Sequence, residues 1–213
     1  MRYPEQREQV VRYGIEMEST GLTVGTAGNV SVLVEDGIII SPSSMAYRET
    51  RPEDTILMDL AGNVLEGERM PSVEHKVHLA MYKARSDVKA VIHAHPTVAT
   101  AFAAARIEIP GFLDEFGVYV GDAVRVAEYA ISGTDEIADN VARAMGETSH
   151  AALIASHGMV CVGKDLASAF HVCQQVERTA LIYVYAKMLG GPVELPQSSK
   201  DLFAQVFAYK RTV

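Results

Sequence analysis

The spacing of hydrophobic residues predicts a chain in which helices and strands are interspersed. Apolar positions recur at helical spacing over residues 4–20, and Gly21 follows as a helix stop. Two β-rich runs then flank Glu35-Asp36-Gly37, which is typical of the tight turn of a hairpin. A second polar turn over 59–63 follows the apolar segment 56–58, so antiparallel pairing is expected in this half of the chain.

The middle of the chain predicts a helix, a buried strand and a second helix in succession. Ser72 is a favourable N-cap for a helix over 73–85, an assignment that puts Glu74 in the first helical turn. Residues 88–93 have the apolar character of a buried strand, and an alanine-rich helix is expected over 96–105.

The remaining pattern predicts more strands and three further helices. Short strands are expected around 118–120 and 124–126, and longer ones over 151–156 and 159–162. The helices are expected from Thr134 to near Gly146, from 165 to 189, and from 198 to about 209. Hairpins mixed with helices indicate an α/β fold in which helices cover both faces of a largely antiparallel sheet.

Composition and charge narrow the class of protein. The 213 residues are 48% hydrophobic and 22% charged, which fits one domain over residues 1–213 with a sizeable core. The net charge of -8 comes from interspersed acidic and basic residues, which do not form the basic surface of a nucleic-acid binder. The charged N-terminal segment and the lack of an apolar run of roughly 18 residues predict a cytoplasmic protein without a membrane partner. We expect Cys161 and Cys173, both among apolar residues, to be buried and reduced.

Three histidines carry the pattern of a metal site. His93 and His95 are two residues apart at a strand end, so their imidazoles face the same side with Cα atoms about 6.6 Å apart. A third ligand usually comes from elsewhere in the chain. His157 is the best candidate, because it ends an apolar strand and precedes Gly158, which permits close backbone approach.

Other polar residues fit known motifs less well. His150 lies in a polar turn and His171 on a helix among core residues, while Glu74 precedes both His75 and His78, so the HExxH order of metalloproteases is absent. The segment GTAGN has glycines but lacks the Gly-Lys-Ser/Thr of a P-loop. Its neighbourhood can still bind a small anion through backbone N–H groups and polar side chains, although ordinary turns have the same composition. The candidate donors are Asn29, Ser43, Ser44 and Ser72.

Five segments in one order give the chain a family resemblance. GTAGNVS, ISPSS, PSVEHKVH, VIHAHP and SHGMVCVG follow one another between Arg7 and Lys187. Together they resemble the class II aldolase/adducin family, and within it the L-fuculose-1-phosphate aldolases most. The resemblance implies a three-layer α/β/α fold with a central, mainly antiparallel sheet, and a homotetramer.

The resemblance also implies roles for individual residues. His93, His95 and His157 match the metal-ligand histidines, and Glu74 matches the acidic residue that coordinates the resting metal and acts as the catalytic base. The implied cofactor is Zn²⁺ or another divalent transition metal. The implied substrate-phosphate site comprises Gly28, Asn29, Ser43, Ser44 and Ser72.

Three positions depart from that family pattern, and a fourth matches it at a different spacing. Ser44 and Pro71 stand where the fuculose-phosphate enzymes usually have Gly and Ser, so the phosphate pocket is not identical. Asp114 stands where those enzymes have a catalytic tyrosine, and Tyr209 is similar to the tyrosine of their mobile C-terminal segment. Asp114 and Tyr209 are therefore further catalytic candidates.

The activity implied is reversible cleavage of a small phosphorylated sugar, a ketose 1-phosphate, to dihydroxyacetone phosphate and an aldehyde through a metal-stabilised enediolate. The same scaffold also supports a 3-oxo-tetronate-phosphate decarboxylase or a 5-deoxypentulose-phosphate aldolase. A 4-epimerase, which carries Asp where Glu74 stands, a dehydratase, and a non-catalytic adducin-like binding module fit less well.

Overall fold

The computed structural model describes residues 1–212, which form helices and strands in alternation. The helices are α1 (Pro4–Ser19), α2 (His75–Ala84), α3 (Thr97–Ala105), α4 (Asp114–Tyr119), α5 (Asp135–Met145), α6 (Leu166–Met188) and α7 (Gln197–Thr212). The strands are β1 (Asn29–Val34), β2 (Gly37–Ile40), β3 (Ile56–Met58), β4 (Val64–Glu66), β5 (Ala90–Ala94), β6 (Ile109–Pro110), β7 (Ala123–Ala127), β8 (Ala151–Ile154) and β9 (Gly158–Gly163).

The strands form one sheet in the order β4-β3-β2-β1-β5-β9-β8-β7-β6. Neighbouring strands are antiparallel except β7 and β8, which are parallel, so the sheet is mixed but mainly antiparallel as expected. The predicted hairpin forms, with β1 and β2 paired across the turn at Glu35 and Asp36. Strand β5, which carries His93, therefore lies between β1 and β9 in the middle of the sheet.

Helices cover both faces of this sheet and give the three expected layers. Along β2, Ile39 packs into the core beneath α1, α3 and α6, whereas Ile38 and Ile40 face the core beneath α2 and α5. This alternation follows from the two-residue period of a strand, and each face is apolar because each is covered.

Among the described residues, no helix has both the length and the apolar character that crossing a membrane requires. Cys161 and Cys173 are buried and unpaired, as predicted.

Two local predictions were wrong. Residues 118–120 do not form a strand, because 114–119 form α4. Acidic residues occupy its first turn, where the helix dipole favours them, and Phe116 and Val120 are four residues apart and face the same core.

The second correction concerns the start of α2. Ser72 does not cap it, since the helix begins at His75 and Glu74 is the N-cap residue. Pro71 is held against Pro42 in a β-bridge, and a turn with a 3.1 Å hydrogen bond from His75 N–H to the Ser72 carbonyl follows. Glu74 thus lies just outside the helix, where its side chain direction is set by the turn.

Candidate metal centre

The three histidines meet because β5 and β9 are antiparallel neighbours. In that ladder His93 is opposite Val160 and Ala94 is opposite Met159. The end of β5 therefore lies beside the start of β9, and His157 occupies the turn that leads into β9. His95 follows β5 by one residue, on the same face as His93, as the spacing predicted.

The side chains of this cluster lie within contact distance of one another. The Nε2 atoms of His93 and His95 are 2.7 Å apart, and the ring centroid of His157 lies 4.9 Å from that of His93 and 4.8 Å from that of His95. Glu74 places Oε2 2.9 Å from His93 Nε2 and Oε1 3.3 Å from His157 Nε2. All four ligand atoms lie within 4.8 Å of one another. This is on the order of the width of one coordination shell with metal–ligand distances of about 2.0–2.2 Å.

Hydrogen bonds orient the first ligand toward this centre. His93 Nδ1 lies 2.9 Å from the carbonyl oxygen of Met159, so Nδ1 carries the proton that the carbonyl accepts. Nε2, on the other side of the ring, then faces the cluster. Such an outer partner is the usual way in which proteins fix a metal-binding imidazole.

Gly158 is required by the close packing around the turn. A Cβ atom at this position would lie 2.5 Å from the Ala94 carbonyl oxygen and 2.6 Å from Cδ2 of His95. Both distances are too short for van der Waals contact, so a side chain would displace His95. The close backbone approach that Gly158 was expected to permit next to His157 is therefore present in the structure.

The charges in the cluster suit a divalent cation. Burial lowers the pKa of His95 to about 3, with the charges of His93 and His157 acting in the same direction, so the ring is neutral near pH 7. Burial alone would raise the pKa of Glu74, but the charge and hydrogen bond of His93, with His157 and Ser132, hold it below its ordinary value. His95 therefore offers a neutral imidazole and Glu74 an ionised carboxylate, the forms that bind metals.

The residues expected to bind phosphate gather beside Glu74. Asn29 is buried and donates from Nδ2 to Glu74 Oε2 at 3.1 Å, and the Ser72 hydroxyl accepts from the Glu74 N–H at 3.3 Å. The Ser43 and Ser44 hydroxyls are 3.3 Å apart, and Ser43 N–H bonds the Met70 carbonyl at 2.9 Å, which places this loop against the segment that leads to Ser72.

Gly28 precedes Asn29 with a φ of +76°, and a Cβ there would lie 2.8 Å from the His93 carbonyl oxygen. The loop before β1 thus packs directly on the strand that carries His93. A larger residue at Gly28 would push these two segments apart.

Asp114 and Tyr209 are not brought to the cluster of their own chain. Asp114 begins α4 near β6, four strands from β5, or roughly 19 Å at about 4.8 Å per strand. Tyr209, on α7, lines a cavity of about 680 Å³ with Asp87, which precedes β5 at the opposite end from His93. Their catalytic roles remain predictions.

The sequence did not indicate two residues near this cluster, one that contacts Glu74 and one that contacts Asn29. Ser132 donates from Oγ to Glu74 Oε1 at 2.7 Å, and no local pattern indicated it. His78 hydrogen-bonds the side chain of Asn29. Because His78 follows Glu74 by four residues, helical spacing could have indicated that the two side chains lie on the same side.

Fold and cluster together define a class II aldolase, an enzyme of the lyase class. The chain belongs to this family, since residues 8–184 match the Class II Aldolase and Adducin N-terminal domain. It is 38% identical over 97% of each chain to a 5-deoxy-D-ribulose 1-phosphate aldolase of Bacillus thuringiensis serovar kurstaki. Identity to an L-fuculose phosphate aldolase of Haemophilus influenzae is 33%, over 94% of this chain and 91% of the other. A solved structure of an L-fuculose 1-phosphate aldolase superimposes with a TM-score of 0.92 and 41% identity, covering 98% of each chain.

Proposed function

We propose that this enzyme reversibly cleaves a deoxyketose 1-phosphate, of the L-fuculose 1-phosphate or 5-deoxyribulose 1-phosphate kind, to dihydroxyacetone phosphate and a short aldehyde. The observation that carries the proposal is the Glu74 carboxylate held against His93 and His157, with His95 beside them. The named relatives support the substrate class, because both sugars end in a methyl group at the end opposite the phosphate.

His93, His95, His157 and Glu74 would hold the metal. Three imidazole nitrogens with one carboxylate suit Zn²⁺ and neighbouring divalent transition metals. When bound, the metal supplies positive charge against the negative charge that develops on the substrate oxygens as the C3–C4 bond breaks.

Glu74 would move the proton at the carbon of dihydroxyacetone phosphate that becomes C3 of the ketose. Its carboxylate is buried and ionised, and hydrogen bonds from Ser132 and Asn29 restrict its orientation. A base must lie within hydrogen-bond reach of the proton it takes, and a residue at the cluster itself meets that requirement.

The phosphate would bind on the polar side of Glu74, and the methyl end would lie near apolar side chains. Ser43, Ser44, Ser72 and the backbone around Gly28 supply hydrogen-bond donors for the phosphate. Val73, which precedes Glu74, and Ile131, which precedes Ser132, are exposed and apolar, which suits a methyl group.

A condensation assay tests the proposal. Cleavage between C3 and C4 gives acetaldehyde from a five-carbon 5-deoxyketose and lactaldehyde from a six-carbon 6-deoxyketose. We expect metal-loaded enzyme to condense dihydroxyacetone phosphate with one of these aldehydes, with a kcat/KM about tenfold above that for glycolaldehyde. Glycolaldehyde has a hydroxyl in place of one methyl hydrogen of acetaldehyde, and it lacks the methyl group of lactaldehyde. Enzyme stripped with a chelator is the control. Inertness with every aldehyde, together with release of CO₂ from a 3-oxo-tetronate phosphate, would assign decarboxylation instead.

We also propose that the enzyme is a homotetramer in which Asp114 and Tyr209 act in the site of another copy. The distances within one chain support this, since neither residue lies near its own cluster. In symmetric oligomers a site can be completed by a neighbour.

Mixing two weakly active variants tests this assembly. Asp114→Asn and His95→Ala subunits, refolded together, are expected to recover activity at ~25% of the sites for random mixing of the two chains. Light scattering would report the oligomer, and each variant refolded alone is the control. No recovery on mixing, or full activity of Asp114→Asn alone, would rule out a shared site involving Asp114.

A further inference from the structure

A buried row of polar groups extends from the Glu74 carboxylate into the core. Asn29 Nδ2 lies 3.1 Å from Glu74 Oε2, and Asn29 Oδ1 lies 2.5 Å from His78 Nε2. His78 Nδ1 is 2.6 Å from the Ser31 hydroxyl, which is 2.7 Å from the Tyr82 hydroxyl. The five side chains of this row, which we call the relay, are each 7% exposed or less.

The relay forms because side chains four residues apart along a helix lie opposite side chains two residues apart on a strand. Glu74, His78 and Tyr82 are four residues apart and lie along one side of α2. Asn29 and Ser31 are two residues apart on β1 and face α2, since Val30 and Val32 between and beyond them pack into the opposite core. Two rows of side chains with matched spacing are thus placed against each other.

Every hydrogen bond in the relay has only one consistent direction. A carboxylate only accepts, so the amide nitrogen of Asn29 must face Glu74 and its oxygen must face His78. The oxygen accepts a proton from His78 Nε2. Burial lowers the pKa of His78 to about 3, so its ring is neutral and Nδ1 must accept from the Ser31 hydroxyl.

The hydrogen bond between Ser31 and Tyr82, at the far end of the relay, runs in the same direction. The Ser31 proton is directed at His78, so the Ser31 oxygen accepts from the Tyr82 hydroxyl. Burial raises the pKa of Tyr82, which keeps this hydroxyl protonated and able to donate. All donors therefore point toward the carboxylate, and hydrogen bonds arranged head to tail strengthen one another.

We propose that His78 is a positioning residue, which keeps the Asn29 amide nitrogen directed at Glu74 and thereby fixes the carboxylate at the metal centre. The inference rests on the proposed function for its catalytic consequence. Without a donor at His78 Nε2, the Asn29 oxygen is buried without a partner, and only the hydrogen bond from Nδ2 to Glu74 still opposes rotation of the amide. A rotated amide would present its oxygen to the carboxylate, and Glu74 would leave its place beside His93.

Two matched variants separate this role from simple filling of the core. In His78→Gln the side-chain nitrogen can occupy the place of Nε2 and still donate to Asn29. In His78→Asn it occupies the place of Nδ1, beside Ser31, and the donor to Asn29 is lost. Both variants remove the ring, so a role confined to packing would lower Co²⁺ affinity in both, whereas loss of the donor to Asn29 affects His78→Asn alone.

The readouts are Co²⁺ affinity, followed by the visible absorption of the bound ion, and the steady-state constants for dihydroxyacetone phosphate. For His78→Asn we expect a loss of about tenfold or more in Co²⁺ affinity and in kcat, the size typical for partners of metal ligands, with KM changed less than about threefold. His78→Gln is expected within about threefold of the wild type in both. Equal values for the two variants would overturn the proposal.

Co²⁺ affinity also separates this inference from the proposed function. A wild type that binds Co²⁺ but lacks aldolase activity would contradict the proposed function, while the difference in affinity between the two variants still decides the role of His78. Circular dichroism checks folding. If both His78 variants unfold, Ser31→Ala, which leaves the His78 ring in place but removes its donor at Nδ1 and the acceptor of the Tyr82 hydroxyl, is expected to lower Co²⁺ affinity about threefold or more. Unchanged affinity in Ser31→Ala would then overturn the proposal.

Discussion

His95→Ala is expected to lose bound metal and to lower kcat/KM by about 10³-fold. The substitution leaves two imidazoles and one carboxylate around the centre, and His95 Nε2 is the ligand atom nearest to that of His93. A metal that stabilises transition-state charge contributes several kcal/mol, and about 4 kcal/mol corresponds to ~10³ in rate. The loss should therefore appear both in metal content and in turnover.

A variant of a histidine outside the cluster, His150→Asn, is the control for removing any imidazole from the protein. His150 lies outside the cluster, and its Nδ1 is 3.0 Å from the Tyr119 carbonyl oxygen. His150→Asn can keep that hydrogen bond, so it is expected to retain metal and activity. Elemental analysis of protein purified without added zinc, followed by the aldehyde assay, would compare the two. Stoichiometric metal and full activity in His95→Ala would contradict the assignment of this residue as a ligand.

The sequence predicted that His93 and His95 would lie together because the two residues share a local geometry. His93 and His95 are aimed at one point by the period of a strand, which needs no knowledge of the rest of the fold. His157 was placed with them only by its position at a strand end and by the family resemblance. Its arrival depends on the register of β5 against β9, and a strand register formed across 60 residues cannot be derived from local pattern.

Glu74 shows where local rules fail and long-range contacts decide. Its neighbour Ser72 has the propensity of a helix cap, but the bridge between Pro42 and Pro71 holds the segment in a turn instead. The residues that orient the carboxylate come from three places, namely β1, α2 and the loop before α5. Ser132 in that loop has no periodic partner and no motif, so only the folded chain reveals its contact.

The layers of the fold were predictable for a related reason. The continuous apolar run of β2 predicts a strand covered on both faces, and the helical spacing in α1 predicts one buried face. The α4 segment was misassigned because Phe116, Val118 and Val120 alternate like a strand, whereas Phe116 and Val120 also satisfy the helical spacing. A short apolar run fits both periods, and tertiary packing decides between them.

Glu74→Gln is expected to fold and to bind dihydroxyacetone phosphate while losing about 10³-fold in kcat. The substitution keeps the shape of the side chain but removes its basicity, and general base catalysis typically contributes 10²–10⁴-fold. The wild-type carboxylate accepts from both Asn29 and Ser132, whereas an amide offers a single oxygen to two donors. The Ser132 hydroxyl, which is exposed, can instead accept from the amide nitrogen, so the buried Asn29 donor keeps its acceptor and the free energy of unfolding is expected to change by no more than about 1 kcal/mol.

The decisive measurement for this variant is exchange of the proton at the reacting carbon of dihydroxyacetone phosphate with deuterium from D₂O, followed by NMR without any aldehyde. Exchange needs the base but not the second substrate, so it isolates Glu74 from residues that bind the aldehyde. Glu115→Gln serves as the matched control, because Glu115 pairs with Arg178 on the exposed surface and should exchange at the wild-type rate. Metal content must be equalised first, since Glu74 is also expected to be a ligand and a loss of metal would imitate the loss of a base. Wild-type exchange by metal-loaded Glu74→Gln would remove this residue as the base and leave it the role of a ligand alone.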